Sequence, residues 1–253
     1  MEFQKYQGTG NDFVMIDNRT NVFDKTNLEL VTKLCDRKFG IGADGLILIE
    51  NHPEVDFEMI YFNADGTKSF CGNGSRCAVS FANKLGIIEL ETKFIAIDGI
   101  HEAKIVGKEV HLKMGDISKI ETGKDYYFLD TGSPHYIKYK NNISEIDIIK
   151  SAHKIRYNER FSAEGTNVNF VENCGNSLKI RTYERGVENE TLSCGTGATA
   201  VALSASLKLG MDSPIKINVP GGELKIKFTK INETTFEYIW LIGPAEFVFE
   251  GEI

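Results

Sequence analysis

The chain has 253 residues, 42% hydrophobic and 26% charged, the balance of a soluble globular protein with room for one large domain or two of ordinary size. Its formal net charge of -7 argues against nucleic acid or an anionic membrane as the main partner, but a nest of backbone N–H groups in an acidic protein still accepts a small carboxylate. Five cysteines (Cys35, Cys71, Cys77, Cys174 and Cys194), an odd number in a chain this long, argue against a disulfide framework and for a reducing compartment.

No C-x-x-C pair is present, and His52, His101, His111, His135 and His153 form no ligand spacing with the cysteines, so no metal site is expected. The N-terminal residues lack the apolar run of a signal peptide, and no stretch approaches membrane-spanning length. A cytoplasmic protein is the expectation.

Taken in order, residues 3–7 and 13–17 are strand-like and flank a tight Gly8-Thr9-Gly10-Asn11 loop. Thr26 or Asn27 suits the cap of a helix reaching about Lys38, with Leu30, Val31, Leu34 and Cys35 on one face. Strands over Leu46–Glu50 and Phe57–Phe62 lead to the turn Asn63-Ala64-Asp65-Gly66. Cys71 follows, then a helix from about Ser75 to Leu85 with Gly86 past its end, then short strands to about Leu112. Tyr126–Leu129 and Tyr136–Tyr139 flank the loop Thr131-Gly132-Ser133-Pro134-His135. A helix is expected from Ser144, with Asp147 at its capping-box position, and strands over Val168–Val171 and Leu178–Tyr183. The turn Glu184-Arg185-Gly186 precedes Cys194, a helix from about Gly197 to Leu209, and four strands over 215–252.

The second half repeats the first. Gly10 and Gly132, Phe39 and Phe161, and Glu50 and Glu172 are each 122 positions apart; Phe62 and Tyr183 are 121 apart, Cys71 and Cys194 123. A period this long means a duplicated domain rather than a solenoid. The expected fold is α+β, with two pseudo-symmetric halves covering roughly 1–115 and 116–245 and a ligand cleft between them.

The repeat carries a matched pair of motifs, Cys71-Gly72-Asn73-Gly74 and Cys194-Gly195-Thr196-Gly197, each opening a helical pattern. Glycines let the backbone turn sharply and approach a ligand closely. A thiol at a helix N-terminus is favoured as thiolate, since lowering its pKa by one unit needs about 1.4 kcal/mol, which a helix end in a partly buried setting supplies. The same N–H groups hold a carboxylate. One thiolate taking a proton from a carbon and a second thiol returning one on the opposite face inverts that centre, a two-base racemase or epimerase mechanism. No pyridoxal-phosphate lysine, Walker or Rossmann signature stands in context, so no cofactor is inferred. Cys35, Cys77 and Cys174 are expected to be buried packing residues.

These motifs resemble the diaminopimelate epimerase family. The resemblance rests on Gly8-Thr9-Gly10-Asn11-Asp12-Phe13, Gly40-Ile41-Gly42-Ala43-Asp44, Phe62-Asn63-Ala64-Asp65-Gly66, the segment 71–77, Pro134-His135, Gly165-Thr166-Asn167-Val168, Tyr183-Glu184-Arg185-Gly186 and the segment 194–197. They appear in family order across essentially the whole chain.

The resemblance implies the diaminopimelate epimerase-like fold, with a last strand over Glu246–Ile253 returning to the first half. It implies interconversion of L,L- and meso-2,6-diaminopimelate without a cofactor, in lysine and peptidoglycan precursor synthesis, by a homodimer. Cys194 would accept the α-proton and Cys71 donate one, with His135 and Glu184 tuning the thiols. Gly72-Asn73 and Gly195-Thr196 would hold the reacting carboxylate, and Asn63, Asn167 and Arg185 the distal end, with Asn11 nearby. The sequence departs from the family pattern at Gly45, where Gln is common, at Ser133, and in a loop 186–191 one residue longer than usual. Gly45 is expected to leave a substrate contact absent or filled by water. A proline or hydroxyproline racemase, a PhzF-like isomerase and a non-catalytic amino-acid-binding protein are the alternatives; the first lacks a distal group for Arg185 to bind and the second lacks the cysteine pair.

Overall fold

The computed structural model describes residues 1–253 and divides into two compact units, Met1–Leu112 with Gly243–Ile253, and Lys113–Ile242. The first unit runs β1 (Glu2–Gly8), β2 (Asn11–Asp17), α1 (Leu28–Cys35), β3 (Gly45–Glu50), β4 (Phe57–Asn63), α2 (Gly72–Lys84), β5 (Glu91–Ala96), β6 (Gly99–Val106) and β7 (Glu109–Lys113). The second runs β8 (Glu121–Thr122), β9 (Tyr127–Asp130), β10 (Pro134–Tyr139), α3 (Ile148–Arg156), β11 (Asn167–Asn173), β12 (Ser177–Glu184), β13 (Asn189–Thr191), α4 (Gly195–Lys208), β14 (Ile215–Val219), β15 (Gly222–Lys230) and β16 (Phe236–Pro244). The chain then returns to the first unit as β17 (Glu246–Glu252), antiparallel to β1.

Strand order in the first unit is β17-β1-β2-β3-β4-β5-β6-β7. In the second it is β8-β9-β10-β11-β12-β14-β15-β16, with β13 folded back on the end of β12. The senses of the pairings also agree step for step, with parallel pairs at β2·β3 and β4·β5 in one unit and at β10·β11 and β12·β14 in the other.

Alternation along the central strands sends side chains to two faces. In the first unit Val14, Ile16, Leu46, Leu48, Ile60 and Phe62 pack under α1 with Val31, Leu34 and Cys35. In the second Tyr136, Val168, Phe170 and Tyr183 pack under α3 with Ile148 and Ala152. The other face of each sheet lies against α2 or α4, both buried over most of their length. Coverage on both faces explains why every residue of β3 is buried.

Several boundaries differ from the sequence expectations. Helix α1 starts at its Asn27 cap, as one of the two expected candidates, but stops at Cys35, because the Asp36 carboxylate takes the N–H groups of Lys38 and Phe39 (2.7 Å each) into a turn. The helix expected from Ser144 is a single 3₁₀ turn, Ile143–Glu145; α3 begins later, with Asp147 itself as N-cap accepting from the Lys150 N–H at 3.0 Å. Helices α2 and α4 begin at Gly72 and Gly195 rather than Ser75 and Gly197. The glycines that suggest a turn lie inside the first helical turn, where Gly74 and Gly197 stand close against side chains of the sheet. Cys174 is exposed, not buried; it sits in the turn joining β11 to β12, beside Gly175 with φ +83°.

Candidate active site

Each cysteine of the matched pair is the N-cap of its helix, Cys71 of α2 and Cys194 of α4, with extended backbone before the first helical glycine. The sulfurs therefore stand where the first backbone N–H groups of a helix lack intrahelical acceptors. Both helices open close to the sheet, which leaves little room for a side chain one turn in. A Cβ on Gly74 would lie 3.0 Å from Ile47 Cδ1, and one on Gly197 would lie 2.7 Å from Asn169 Oδ1.

In the first unit Cys71 Sγ accepts from the Gly74 N–H at 3.4 Å and donates to Asn11 Oδ1 at 3.5 Å. Asn11 Oδ1 also accepts from Asn73 Nδ2 at 3.1 Å, and Asn73 Oδ1 accepts from Arg76 Nη1 at 3.0 Å. On its other side Asn11 Nδ2 donates to Asp44 Oδ2 at 2.7 Å. Arg37 bridges Asp44 and Asp12 at 2.7 Å each, and Lys5 reaches Asp12 at 2.8 Å. Burial alone would raise the Asp12 pKa; hydrogen bonds from Arg37 and Lys5 outweigh it and hold the group at about 2. Arg76 is fully buried, with its pKa lowered by that burial, and also bonds the Pro244 carbonyl beside the returning last strand. Burial pushes the neighbouring Cys77 thiol well up, away from thiolate.

In the second unit Cys194 Sγ lies 3.5 Å from Thr196 Oγ1, and Thr196 Oγ1 lies 2.9 Å from His135 Nε2. His135 Nδ1 meets Asn169 Nδ2 at 3.1 Å; the same amide nitrogen donates to the Tyr136 carbonyl at 3.2 Å, and Thr182 Oγ1 donates to Asn169 Oδ1 at 2.9 Å. His135 is completely buried, and burial, reinforced by the charge of Arg185, lowers its pKa to about 3, leaving a neutral ring at physiological pH.

The remaining expected site residues gather at the ends of the same strands. Asn63 closes β4, donating to Thr67 Oγ1 at 2.9 Å and accepting from Ser69 at 3.3 Å. Asn167 opens β11; its amide donates to Ser133 Oγ at 2.7 Å and accepts the Arg185 N–H at 2.8 Å. Arg185 is exposed, with one guanidinium nitrogen on the Glu164 carbonyl at 2.9 Å. Glu184 ends β12 and accepts a hydrogen bond from the Thr191 hydroxyl. The longer loop 186–191 closes as a hairpin onto β13, and the Glu188 carboxylate within it gathers Arg156, Tyr157 and Tyr183.

One expectation about an individual position changes. His135 lies on β10 and not in a loop, because Pro134 takes the first position of the strand, where its missing N–H removes no ladder bond. At Gly45 a Cβ would lie 2.4 Å from both the Phe62 carbonyl and the Tyr61 ring, so the surroundings are closed to a side chain there. Sequence reasoning also passed over Asp44 as a partner of Asn11, Arg76 behind Asn73, and the pair Asn169 and Thr182 behind His135. The only signal for the last pair was a polar residue at alternate positions of strands whose neighbours are apolar.

The family model for diaminopimelate epimerase matches residues 3–120 and 127–248. A diaminopimelate epimerase of Flavobacterium psychrophilum is 52% identical, with all of both chains covered. A solved PhzF-family phenazine biosynthesis protein of Bacillus anthracis superposes with TM-score 0.77 at 13% identity, covering 100% of this chain and 98% of that one. A probable proline racemase of Agrobacterium radiobacter K84, solved with bound carbonate, gives 0.69 at 14% identity, covering 100% and 92%. The last two likenesses establish the shared fold alone.

Proposed function

The chain belongs to the diaminopimelate epimerase family, and from that premise we propose that it inverts one α-carbon of its substrate with two cysteines as acid and base. It is an isomerase, and its reaction is the epimerisation of diaminopimelate in lysine biosynthesis. Cys194 takes the α-proton of the L,L isomer and Cys71 delivers one to the other face; the roles exchange for the meso isomer. The observation that carries this reading is the placement of both thiols as N-caps of glycine-opened helices in two units that repeat strand for strand.

The reacting carboxylate is held by backbone N–H groups of Gly72-Asn73 and Gly195-Thr196, at two helix N-termini whose dipoles favour the negative charge that builds as the α-proton leaves. Asn63, Asn167 and Arg185 take the distal amino-acid end, with Asn11 beside Cys71. Arginine suits a carboxylate because its planar fork gives two parallel hydrogen bonds. A site built to bond that distal group rejects proline, which has none. Protons move between thiols and carbon without a cofactor. Action as a homodimer in the cytoplasm completes the reading.

Incubation of the reduced protein with L,L-diaminopimelate in deuterated water tests it. The expected product is meso-diaminopimelate with deuterium at the inverted carbon. Turnover of proline with none of diaminopimelate would transfer the function to the racemase class, and absence of exchange with any amino acid would leave a binding protein.

A further inference from the structure

Equivalent register positions in the two units carry opposite chemistry. Phe13 pairs with Gly45 across β2·β3 as His135 pairs with Asn167 across β10·β11, and Ile47 faces Tyr61 as Asn169 faces Thr182. So Phe13, Ile47 and Tyr61 behind α2 correspond to His135, Asn169 and Thr182 behind α4. The first set packs as an apolar group, with the Phe13 and Tyr61 rings edge to face at 5.8 Å. The second is just as buried, at 0%, 0% and 3% exposure, yet polar throughout. Apolar packing therefore suffices to seat such a helix on such a sheet, and burying polar groups costs stability unless they are bonded. Every member of the polar set is bonded, and the chain of bonds leads to Cys194.

The directions of the bonds from Tyr136 and Thr182 through to Thr196 follow from the far end. The Tyr136 carbonyl only accepts, so Asn169 turns its Nδ2 toward it; the Thr182 hydroxyl donates to Asn169 Oδ1 from the other side. The nitrogen that donates to Tyr136 also donates to His135 Nδ1, which must then be bare. A neutral ring with bare Nδ1 carries its proton on Nε2 and gives it to Thr196 Oγ1. The Thr196 hydroxyl, accepting there, keeps its own proton free to donate to Cys194 Sγ, 3.5 Å away.

The first unit is wired the other way. The Asp44 carboxylate only accepts, so Asn11 turns Nδ2 toward it and Oδ1 toward Cys71. Asn73 fixes the same orientation, since its oxygen is taken by Arg76 and its nitrogen meets Asn11 Oδ1. Cys71 receives the Gly74 N–H, but it also faces an amide oxygen, which bonds an S–H and repels a thiolate.

We infer that the two thiols are held at opposite hydrogen-bond polarity: Asn169, acting through the His135 ring and the Thr196 hydroxyl, keeps a donor on the Cys194 sulfur, while Asp44, acting through Asn11, keeps an acceptor on Cys71. Asn169 and Asp44 are positioning residues, since neither touches a sulfur. Resting on the two-thiol reading above, this arrangement makes the free protein ready for the L,L isomer, with a thiolate at Cys194 and a thiol at Cys71. The charged groups around the two wires are Arg185 near His135, Glu184 at the end of β12, and Arg37, Asp12 and Arg76 around Asn11 and Asn73.

Two measurements on the full chain without substrate test the inference. Nitrogen-15 NMR of labelled histidine, with His135 assigned by the signal missing in His135→Phe, should show the neutral Nε2–H form at neutral pH. A proton on Nδ1 or a charged ring overturns the relay. Alkylation by iodoacetamide, followed at each cysteine by mass spectrometry, compares each thiol with itself in the native and variant proteins. Asn169→Leu, with retained folding checked by circular dichroism, should slow Cys194 by roughly tenfold, the effect of one lost hydrogen bond to a thiolate, and leave Cys71 unchanged. Thr196→Val should slow Cys194 alike, and the double variant no further, because both changes cut one wire. Asp44→Asn, which lets the Asn11 amide turn over, should speed Cys71 instead. Unchanged Cys194 reactivity in Asn169→Leu, or additive losses in the double variant, sinks the inference. None of these readouts needs turnover. If they fail while Cys194→Ala still abolishes epimerisation, the two-thiol reading stands without the relay; an active Cys194→Ala would overturn that reading by itself.

Discussion

The two units agree in strand order, pairing sense, helix placement and the cysteine that caps the second helix, yet they differ in what stands behind that cysteine. Behind Cys71 the sheet offers Phe13, Ile47 and Tyr61; behind Cys194 it offers His135, Asn169 and Thr182. At the strand ends the difference continues. The position matching Asn63 is Glu184, and Arg185 follows it where Ala64 stands in the first unit. Duplication supplied two equivalent helix N-termini, and the side chains around them divide the labour. Under the proposed two-thiol reading, the shared features serve the symmetric half of the reaction, the two thiols and their helix N-termini. Under the same reading, the differences serve the asymmetric half, telling one thiol from the other and anchoring one end of the substrate.

The largest expected effect tests what the units share. Cys71→Ala and Cys194→Ala should each lower epimerisation by at least about a thousandfold, the contribution of a positioned acid or base, with far-ultraviolet circular dichroism unchanged. Near-normal turnover by either variant breaks the symmetric half of the comparison, because one thiol would then be dispensable.

The next effect tests the asymmetry at the strand ends. Arg185→Met should raise KM for diaminopimelate by roughly tenfold to a hundredfold, from loss of a charge-assisted bond of about 1.5–3 kcal/mol. Arg185→Lys should recover only part of this, since an ammonium lacks the planar fork. An unchanged KM would remove Arg185 from the distal site. The Asn167 amide orients this residue through the Arg185 N–H, so Asn167→Ala should move KM in the same direction by less.

A third, smaller effect concerns the cost of the polar set. The folded His135 pKa, about 3, lies below its ordinary 6.5, so the unfolded chain binds a proton that the folded chain refuses. Stability from the neutral ring is complete above about 6.5 and is lost as pH falls toward about 3, with a slope of up to roughly 1.4 kcal/mol per pH unit. The double variant His135→Phe with Asn169→Ile, which gives the second unit two of the three residues of the first, should flatten that slope in denaturant titrations repeated at several pH values. An equal slope in both proteins would mean that His135 is not the group being titrated. Asp12, depressed to about 2 from 3.8, adds a separate loss at still lower pH in both proteins.

Much of the architecture was legible because duplication writes itself into spacing. The 122-residue offset, the two cysteine motifs and the turn after β4 matching the turn after β12 needed no coordinates. Helix starts were misplaced by a few residues at α2 and α4 because glycine ordinarily breaks a helix, and the packing of Gly74 on Ile47 and Gly197 on Asn169 is a tertiary fact. The Asn169 relay was illegible for a related reason. Asn169, between Val168 and Phe170 in β11, is legible as a polar residue in an apolar stretch, but only the fold says that it faces His135. The asymmetry between Phe13 and His135 was present in the sequence but had no meaning until strand register aligned them.

The smallest expected effect isolates position from chemistry. Cys174 has the same side chain as the two site cysteines, but it sits in an exposed turn with no helix following, its sulfur 3.9 Å from the Glu172 carbonyl. Cys174→Ser should therefore change stability by no more than about 0.5 kcal/mol and leave epimerisation and its pH profile as they are. The same variant removes the exposed thiol that would dominate nonspecific alkylation, which sharpens the comparison of Cys71 with Cys194. A marked loss of activity in Cys174→Ser would mean that a cysteine away from any helix N-terminus takes part. The claim that the helix ends make the chemistry would then have to be given up.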